Sequence, residues 1–574
     1  MTLDLLLQGG TVVDGTGAPA RRADVGVAEG KVVAVGTDLG DALRTIDCDE
    51  RVVAPGVIDL HTHYDAQLLW DGAATPSPLH GVTTVIGGNC GFSIAPLAPD
   101  HADYVRRMMA RVEGISLAAL ESGTDWGWRD FGEYLGRLDE RLAVNAGFLA
   151  GHSTIRRLVM GDDAHGVASA DQIEQMVAIA HDAMAQGALG FSSSLGEAHT
   201  DGDGEPVPSR AASAEEFLAL AAAVREHAGT TLEFIAAMGE IPQDRIELMT
   251  AMSLAAGRPL NWNLLGSLSP VEVYEQQLTA CDLAASRGAT VVALALPDLL
   301  RMRSDRVLRS LPGWDAVWEL PDTDRARALA DPAVRDRLRT GFDEASARGL
   351  SFVADWDLVE VAEAGGAASE GCAGRTLREI AATRGVDPFT VLLDVVVADR
   401  TPLNTVFPSL TPSYGVSDEG WAIRRDVWSD PRVVLGGSDA GAHVDLMCHA
   451  NYPTVVLGEL VRDRGLFTLE DAVRRITEVP ARLLGLRGRG RVAEGYEADL
   501  FVFDPATVAT APTTARRDLP GGAERLSADA IGVEHVFVAG VATVRGSQLT
   551  GALPGTALRS GRDTDTVTVP GATR

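Results

Sequence analysis

The segment Val57-Ile58-Asp59-Leu60-His61-Thr62-His63 sets two imidazoles two positions apart. In a strand, the two-residue period puts Asp59, His61 and His63 on one face and Ile58, Leu60 and Thr62 on the other. Converging imidazoles suit a divalent metal that takes borderline nitrogen ligands. Cys90, in Ile86-Gly87-Gly88-Asn89-Cys90-Gly91-Phe92, ends a second apolar run, and its thiolate could bind or bridge a metal held by His61 and His63. Asp439, in Gly436-Gly437-Ser438-Asp439-Ala440-Gly441, ends the last such run. A carboxylate there can ligate the metal, take a proton from activated water and pass it to a leaving amine. His152, in Ala150-Gly151-His152-Ser153-Thr154, could bind substrate or metal, or be a satisfied structural histidine. Arg301 and Arg303 could hold a substrate carboxylate bidentately, and His443 and His449 follow Asp439 closely.

These residues need a frame that gathers strand ends. Eight apolar runs alternate with stretches of helical period: 57–63, 82–88, 144–151, 188–192, 231–236, 260–264, 290–296 and 433–437. The pattern predicts an α/β fold, a (β/α)8 TIM barrel, with a doubly wound sheet as the alternative. A closed barrel sets strand eight beside strand one and so returns Asp439 to His61 and His63. Ser169 with Gln172, and Ser213 with Glu216, read as capping boxes that open helices. The first 55 residues read as a β-meander with a Gly9-Gly10 turn, and similar strands recur at 499–504, 533–538 and 541–544. Residues 1–55 and 487–574 are therefore expected to form one small composite β-sandwich around a barrel of residues 56–486. Between strands seven and eight, residues 297–430 form an excursion of the kind that serves as a lid or substrate-binding insertion.

At 574 residues the chain exceeds one ordinary core, and 46% apolar with 23% charged residues is a globular composition. The formal charge of −30 repels phosphate backbones and anionic membrane surfaces, so nucleic acid and membrane are not expected partners. Five scattered cysteines suggest reduced thiols and a cytoplasmic location; no apolar run reaches the length of a membrane span, and the N-terminus has no signal-peptide pattern. Lys31 is the only lysine.

Pro55-Gly56-Val57-Ile58-Asp59-Leu60-His61-Thr62-His63, Gly88-Asn89-Cys90-Gly91-Phe92, Gly151-His152-Ser153-Thr154 and Gly437-Ser438-Asp439 resemble the amidohydrolase superfamily. More narrowly they resemble its N-acyl-D-amino-acid deacylase (D-aminoacylase) branch. Pro480-Ala481-Arg482-Leu483-Leu484-Gly485-Leu486, Gly490-Arg491-Val492 and Glu494-Gly495-Tyr496-Glu497-Ala498-Asp499-Leu500 carry the same likeness. The resemblance implies a barrel with a β-sandwich and metal-dependent hydrolysis of a small amide, an N-acyl (D-)amino acid above all. It makes His61 and His63 metal ligands, Cys90 a ligand or bridge, and Asp439 both ligand and general base. Many superfamily members bridge two metals with a modified lysine, which Lys31, in the N-terminal meander, is not placed to supply. The branch also expects metal-binding histidines at the ends of strands five and six, where this chain has Leu232-Glu233-Phe234-Ile235-Ala236 and Leu260-Asn261-Trp262-Asn263-Leu264. One divalent ion, most readily Zn2+, is therefore expected, held by His61, His63 and Asp439 with Cys90 or His152 completing the set. Two ions are possible if Glu233, Asn261 or Asn263 donates oxygen. The sequence leaves two other readings open: hydrolysis of a cyclic amide or another C–N bond on the same site, and a metal-free barrel acting as a binding or scaffold protein.

Overall fold

A computed structural model describes residues 2–265, 271–299, 301–303, 308, 311–318, 320–347, 356–357, 359–361, 370–372, 375–398, 405–408 and 418–573. All eight expected strands are present and parallel. They are β1 (Val57–Asp59), β2 (Val82–Gly87), β3 (Asn145–Phe148, resuming at Ala150–Gly151), β4 (Gly190–Ser194), β5 (Thr231–Ile235), β6 (Leu260–Asn263), β7 (Val291–Ala295) and β8 (Val433–Leu435). β1 pairs with β2 and β2 with β3; the second half of β3 continues the order through β4, β5, β6 and β7 to β8. A parallel bridge between Thr62 and Ala440 joins the ends of β1 and β8. Its bonds run from Asp439 N to the His61 carbonyl (3.1 Å) and from His63 N to the Ala440 carbonyl (2.7 Å). The near-continuous apolar runs fit strands covered on both faces. Ile58, Ile86, Leu149, Leu189, Leu294 and Val434, drawn from around the barrel, share one buried cluster.

Strands from both ends of the chain meet in one nine-stranded sheet. Leu500–Phe503 lies antiparallel to Val52–Pro55 on one side and to Val533–Val538 on the other. Its period of two divides the work: Leu500 and Val502 enter the core of the sheet, while Phe501 and Phe503 join the core shared with the barrel. Gly9-Gly10 is not a turn, as expected, but a bulge within the single strand Leu5–Val12, with Gly9 at φ 71° and the register shifting between Leu7 and Gly10. Lys31 pairs with Glu497 at 2.7 Å within this region, away from the strand ends that carry the expected site. Beyond Leu549 the chain leaves the sheet and crosses the amino-terminal end of the barrel. Leu558 N bonds the Ala146 carbonyl, Ser560 N that of Gly187 and Gly571 N that of Gly288.

Within 297–430, the described residues hold a core of their own, including Trp314, Leu338, Phe342, Leu377 and Leu392. Arg301–Arg303 pairs antiparallel with Thr405–Pro408, which also pairs with Glu360–Val361.

Candidate metal centre

Past β1 the chain delivers His61 and His63 to one point, 5% and 1% exposed, their rings edge to face at 5.3 Å between centroids. Asp439 Oδ1 lies 3.5 Å from His61 Nε2 and 3.1 Å from His63 Nε2. Cys90 Sγ lies 3.4 Å from His61 Nε2 and 3.8 Å from His63 Nε2. The four residues singled out as ligands thus come together. Asp59 does not join them: its carboxylate receives the Ser438 hydroxyl and backbone N–H and so braces the start of the Asp439 turn.

Cys90 and Asp439 both occupy the left-handed region, at φ 59° and 58°. Non-glycine residues rarely settle there, and the cost is held only where surroundings over-determine it. At Cys90 the backbone N–H donates to Glu233 Oε2 (2.7 Å) and the next N–H to Ser192 Oγ (3.0 Å). At Asp439 the turn lies against β1, where a Cβ on Gly441 would stand 2.5 Å from the His63 carbonyl oxygen. Behind the imidazoles, the Asn263 side-chain amide lies 2.7 Å from His61 Nδ1 and donates to Glu233 Oε1.

The electrostatics follow from burial. It raises the Cys90 thiol well above its ordinary value, with Glu233 adding to the effect, and pushes Glu233 itself up to about 7. Burial would also raise Asp439, yet hydrogen bonds from His61 and His63 hold it well below the usual carboxylate range. A bound cation favours the ionised form of every anionic donor here. The donor set fits such an ion. Bonds of about 2.0–2.3 Å to a tetrahedral zinc leave neighbouring donors roughly 3.3–3.7 Å apart. From the two imidazole Nε2 atoms to Asp439 Oδ1 and to Cys90 Sγ the separations are 3.1–3.8 Å, close to this range.

Two residues in the centre carried no sequence motif. Glu113, 3% exposed, brings Oε2 to 3.4 Å from His63 Nε2. It caps the carboxyl end of helix Ala102–Val112, where the helix dipole disfavours a carboxylate, and that misplaced charge is the signal a sequence reader could have used. His199 follows β4 and bonds Ser194 Oγ through Nδ1 (2.8 Å), a placement nothing in its segment announces. Both line a cavity of about 210 Å3 with His61, His63, Cys90 and Asp439. His443 and His449 line it too, His443 Nε2 standing 4.0 Å from Asp439 Oδ2. Val112, Ile235, Met238, Leu294, Leu296 and Leu446 form its apolar wall.

Of the roles the sequence left open for His152, the structure shows the satisfied structural histidine rather than a substrate or metal contact. Fully buried at the first turn of helix His152–Met160, it bonds Ser193 Oγ at 2.8 Å and Glu216 Oε1 at 2.7 Å, so both ring nitrogens are engaged away from the cavity. Arg301 and Arg303 lie in a short strand of the insertion, and their side chains fall outside the described residues.

A parallel barrel that gathers histidine, cysteine and aspartate at the carboxyl ends of its strands defines a metal-dependent hydrolase of the barrel class. Within that class, residues 44–544 match the model of the amidohydrolase family, and the chain belongs to that family. It is a hydrolase acting on C–N bonds. Over 558 residues it is 32% identical to a D-aminoacylase of Alcaligenes xylosoxydans xylosoxydans, covering 96% of each chain. It is 30% identical to an N-acyl-D-glutamate deacylase of the same organism, covering 94% of this chain and 93% of the other. A solved structure of D-aminoacylase, described for a binuclear metal centre with one-metal activation and second-metal attenuation, superposes with a TM-score of 0.63. Its identity is 29%, covering 97% of this chain and 100% of that one.

Proposed function

We propose that this protein removes the acyl group from an N-acyl-D-amino acid, using one divalent metal, Zn2+ in first place. The observation that carries the reading is the convergence of His61 Nε2 and His63 Nε2 on Asp439 Oδ1 at the mouth of the barrel. The D-amino-acid substrate class rests on the two named relatives. A single ion is favoured because both carboxylate oxygens of Glu233 are engaged, Oε2 by Cys90 N and Oε1 by the Asn263 amide, and neither strand five nor strand six ends in a histidine. Free cysteines, together with the absence among the described residues of a helix long and apolar enough to cross a membrane, support cytoplasmic work on a small-molecule substrate. The shared sheet supports a division into residues 1–55 with 487–549 and a barrel of 56–486; the expected carboxyl-terminal bound of 574 is too long, because residues beyond Leu549 leave the sheet and bond to the barrel.

His61, His63 and Asp439, with Cys90 beside them, would hold the ion. Once bound, it supplies Lewis acidity to the amide carbonyl and acidifies water. Asp439 takes the proton of the attacking water and delivers it to the departing nitrogen as the C–N bond breaks, leaving a carboxylate and a free amine. The apolar wall takes up a hydrocarbon portion of the substrate and excludes bulk water. His443, close to Asp439 Oδ2, is placed to orient the polar portion.

The test joins metal content with turnover. Protein purified without chelator should hold about one ion per chain and hydrolyse N-acetyl-D-amino acids in preference to their L-isomers and to cyclic amides. Asp439→Asn should lower kcat by roughly 10²–10⁴-fold, the range of a lost general base. Metal-loaded wild type inert toward D-amides, or an Asp439→Asn variant of undiminished kcat, would overturn the reading.

A further inference from the structure

Glu113 presents a physical problem in isolation. Its side chain is 4% exposed, it ends a helix whose carboxyl-terminal dipole opposes negative charge, and the nearby charges of Asp439, Asp65 and Glu233 are all acidic. Among the described residues His63 is its sole ion-pair partner; no arginine reaches it. A carboxylate taken out of water without a counter-charge is costly and tends to protonate. The fold nevertheless fixes this group firmly. Glu113 N bonds the Met109 carbonyl at 3.0 Å, and its own carbonyl accepts from His443 N. The second bond ties the loop after helix Ala102–Val112 to the turn that carries Asp439, so the two carboxylates arrive by linked backbones.

Both carboxylates meet at His63 Nε2, Asp439 Oδ1 at 3.1 Å and Glu113 Oε2 at 3.4 Å. One donor atom from each of His63, Glu113 and Asp439 lies within 4.8 Å of the other two. Cys90 forms the corresponding group with His61 and His63. We propose that Glu113 is itself a ligand of the resident metal, sharing it with His61, His63 and Asp439, so that the ion rests on two imidazoles and two carboxylates with Cys90 on its flank. The inference rests on the metal-dependent reading above. It assigns to a loop residue, unforeseen by any strand-end motif, part of the donor capacity that the strand-five and strand-six positions of this chain do not supply.

Cobalt(II) substitution tests it without turnover. Metal-free wild type titrated with Co2+ should take one ion and develop visible d–d bands, with affinity set by competition against a chromophoric chelator. Glu113→Gln preserves shape and removes charge; its affinity should fall by more than the roughly 10–100-fold typical of an outer-shell partner and its bands should change, while Glu113→Asp should recover part of both. Metal-free Glu113→Gln should melt no lower than metal-free wild type, because a neutral amide replaces an uncompensated buried carboxylate. Wild-type affinity and spectrum in Glu113→Gln would overturn the proposal, as would weakened binding accompanied by a lower metal-free melting point, which marks a structural role. Wild type that binds no ion at all would instead overturn the metal-dependent reading on which it stands.

Discussion

Cys90 and Asp439 were legible as single residues because each sits among glycines at the end of an apolar run, and His61-Thr62-His63 because a strand's period aligns its imidazoles. His152 has the same sequence context and a different fate. The chain turns into a helix at that residue, and its ring goes between Ser193 and Glu216. Residue type and strand-end position do not encode which way such a ring swings. His80 shows how a buried imidazole that takes no part in the centre still carries a measurable signature. Its ring nitrogens lie 2.8 Å from Thr454 Oγ1 and 3.0 Å from the Ala528 carbonyl, and burial pushes its pKa down to about 4 from 6.5. Between those values the unfolded chain binds a proton that the folded chain refuses, so stability is lost as pH falls through this window. His80→Gln lacks the titration. The variant should be less stable at pH 7, but its deficit should shrink by up to ~1.4 kcal/mol per pH unit on descending from 6.5 toward 4. Urea midpoints collected across that range check it; a deficit that does not vary with pH would show that His80 titrates alike in both states.

Elements were more legible than residues. Parallel strands buried on both faces write themselves as short apolar runs, and all eight appear where such runs lie. What the local pattern misjudged was the use of a motif once tertiary contacts compete for it. Ser169 and Gln172 form the full reciprocal capping box of helix Ala170–Ala185. Ser213 caps helix Ala214–Arg225 through Glu216 N, but the Glu216 side chain does not reach back. It turns inward instead, 2.7 Å from His152 Nε2 and 3.4 Å from Arg156 Nε, and all three residues are fully buried. Glu216 thereby ties helix Ala214–Arg225 to helix His152–Met160. Removing it leaves the buried Arg156 guanidinium with the Pro208 and Gly166 carbonyls but no counter-charge, a loss that typically costs about 3–5 kcal/mol. Glu216→Ala should therefore shift the urea midpoint far more than Ser213→Ala, worth ~1 kcal/mol as a lost cap. Equal effects of the two would mean that Glu216 acts only as a helix-start residue.

At the scale of the whole molecule, the two ends of the chain do different work. The amino-terminal strands build the common sheet with Leu500–Phe503 and residues 533–549, whereas the last stretch crosses the end of the barrel remote from the metal centre. It bonds in turn the residues leading into β3, β4, β5 and β7: Gly555 N to the Leu142 carbonyl, Ser560 N to Gly187, Thr564 Oγ1 to the Gly229 carbonyl and Gly571 N to Gly288. Leu558, fully buried, enters the apolar cluster that also holds Ile58, Ile86 and Leu294. This path was illegible because residues 550–573 have neither helical nor strand period; only the finished barrel gives their apolar positions a surface to fill. The stretch acts as a strap that closes the barrel's amino-terminal end, and its energetic weight should fall on stability rather than catalysis. Leu558→Ala should lower unfolding free energy by roughly 2–5 kcal/mol, the cost of a large-to-small core change, while kcat/KM measured well below the transition stays at the wild-type value. Truncation after Leu553 should go further and open the barrel to limited proteolysis near the starts of β3 and β4. Loss of kcat/KM in Leu558→Ala at a temperature where the protein remains folded would instead couple the strap to the centre at the other end of the strands.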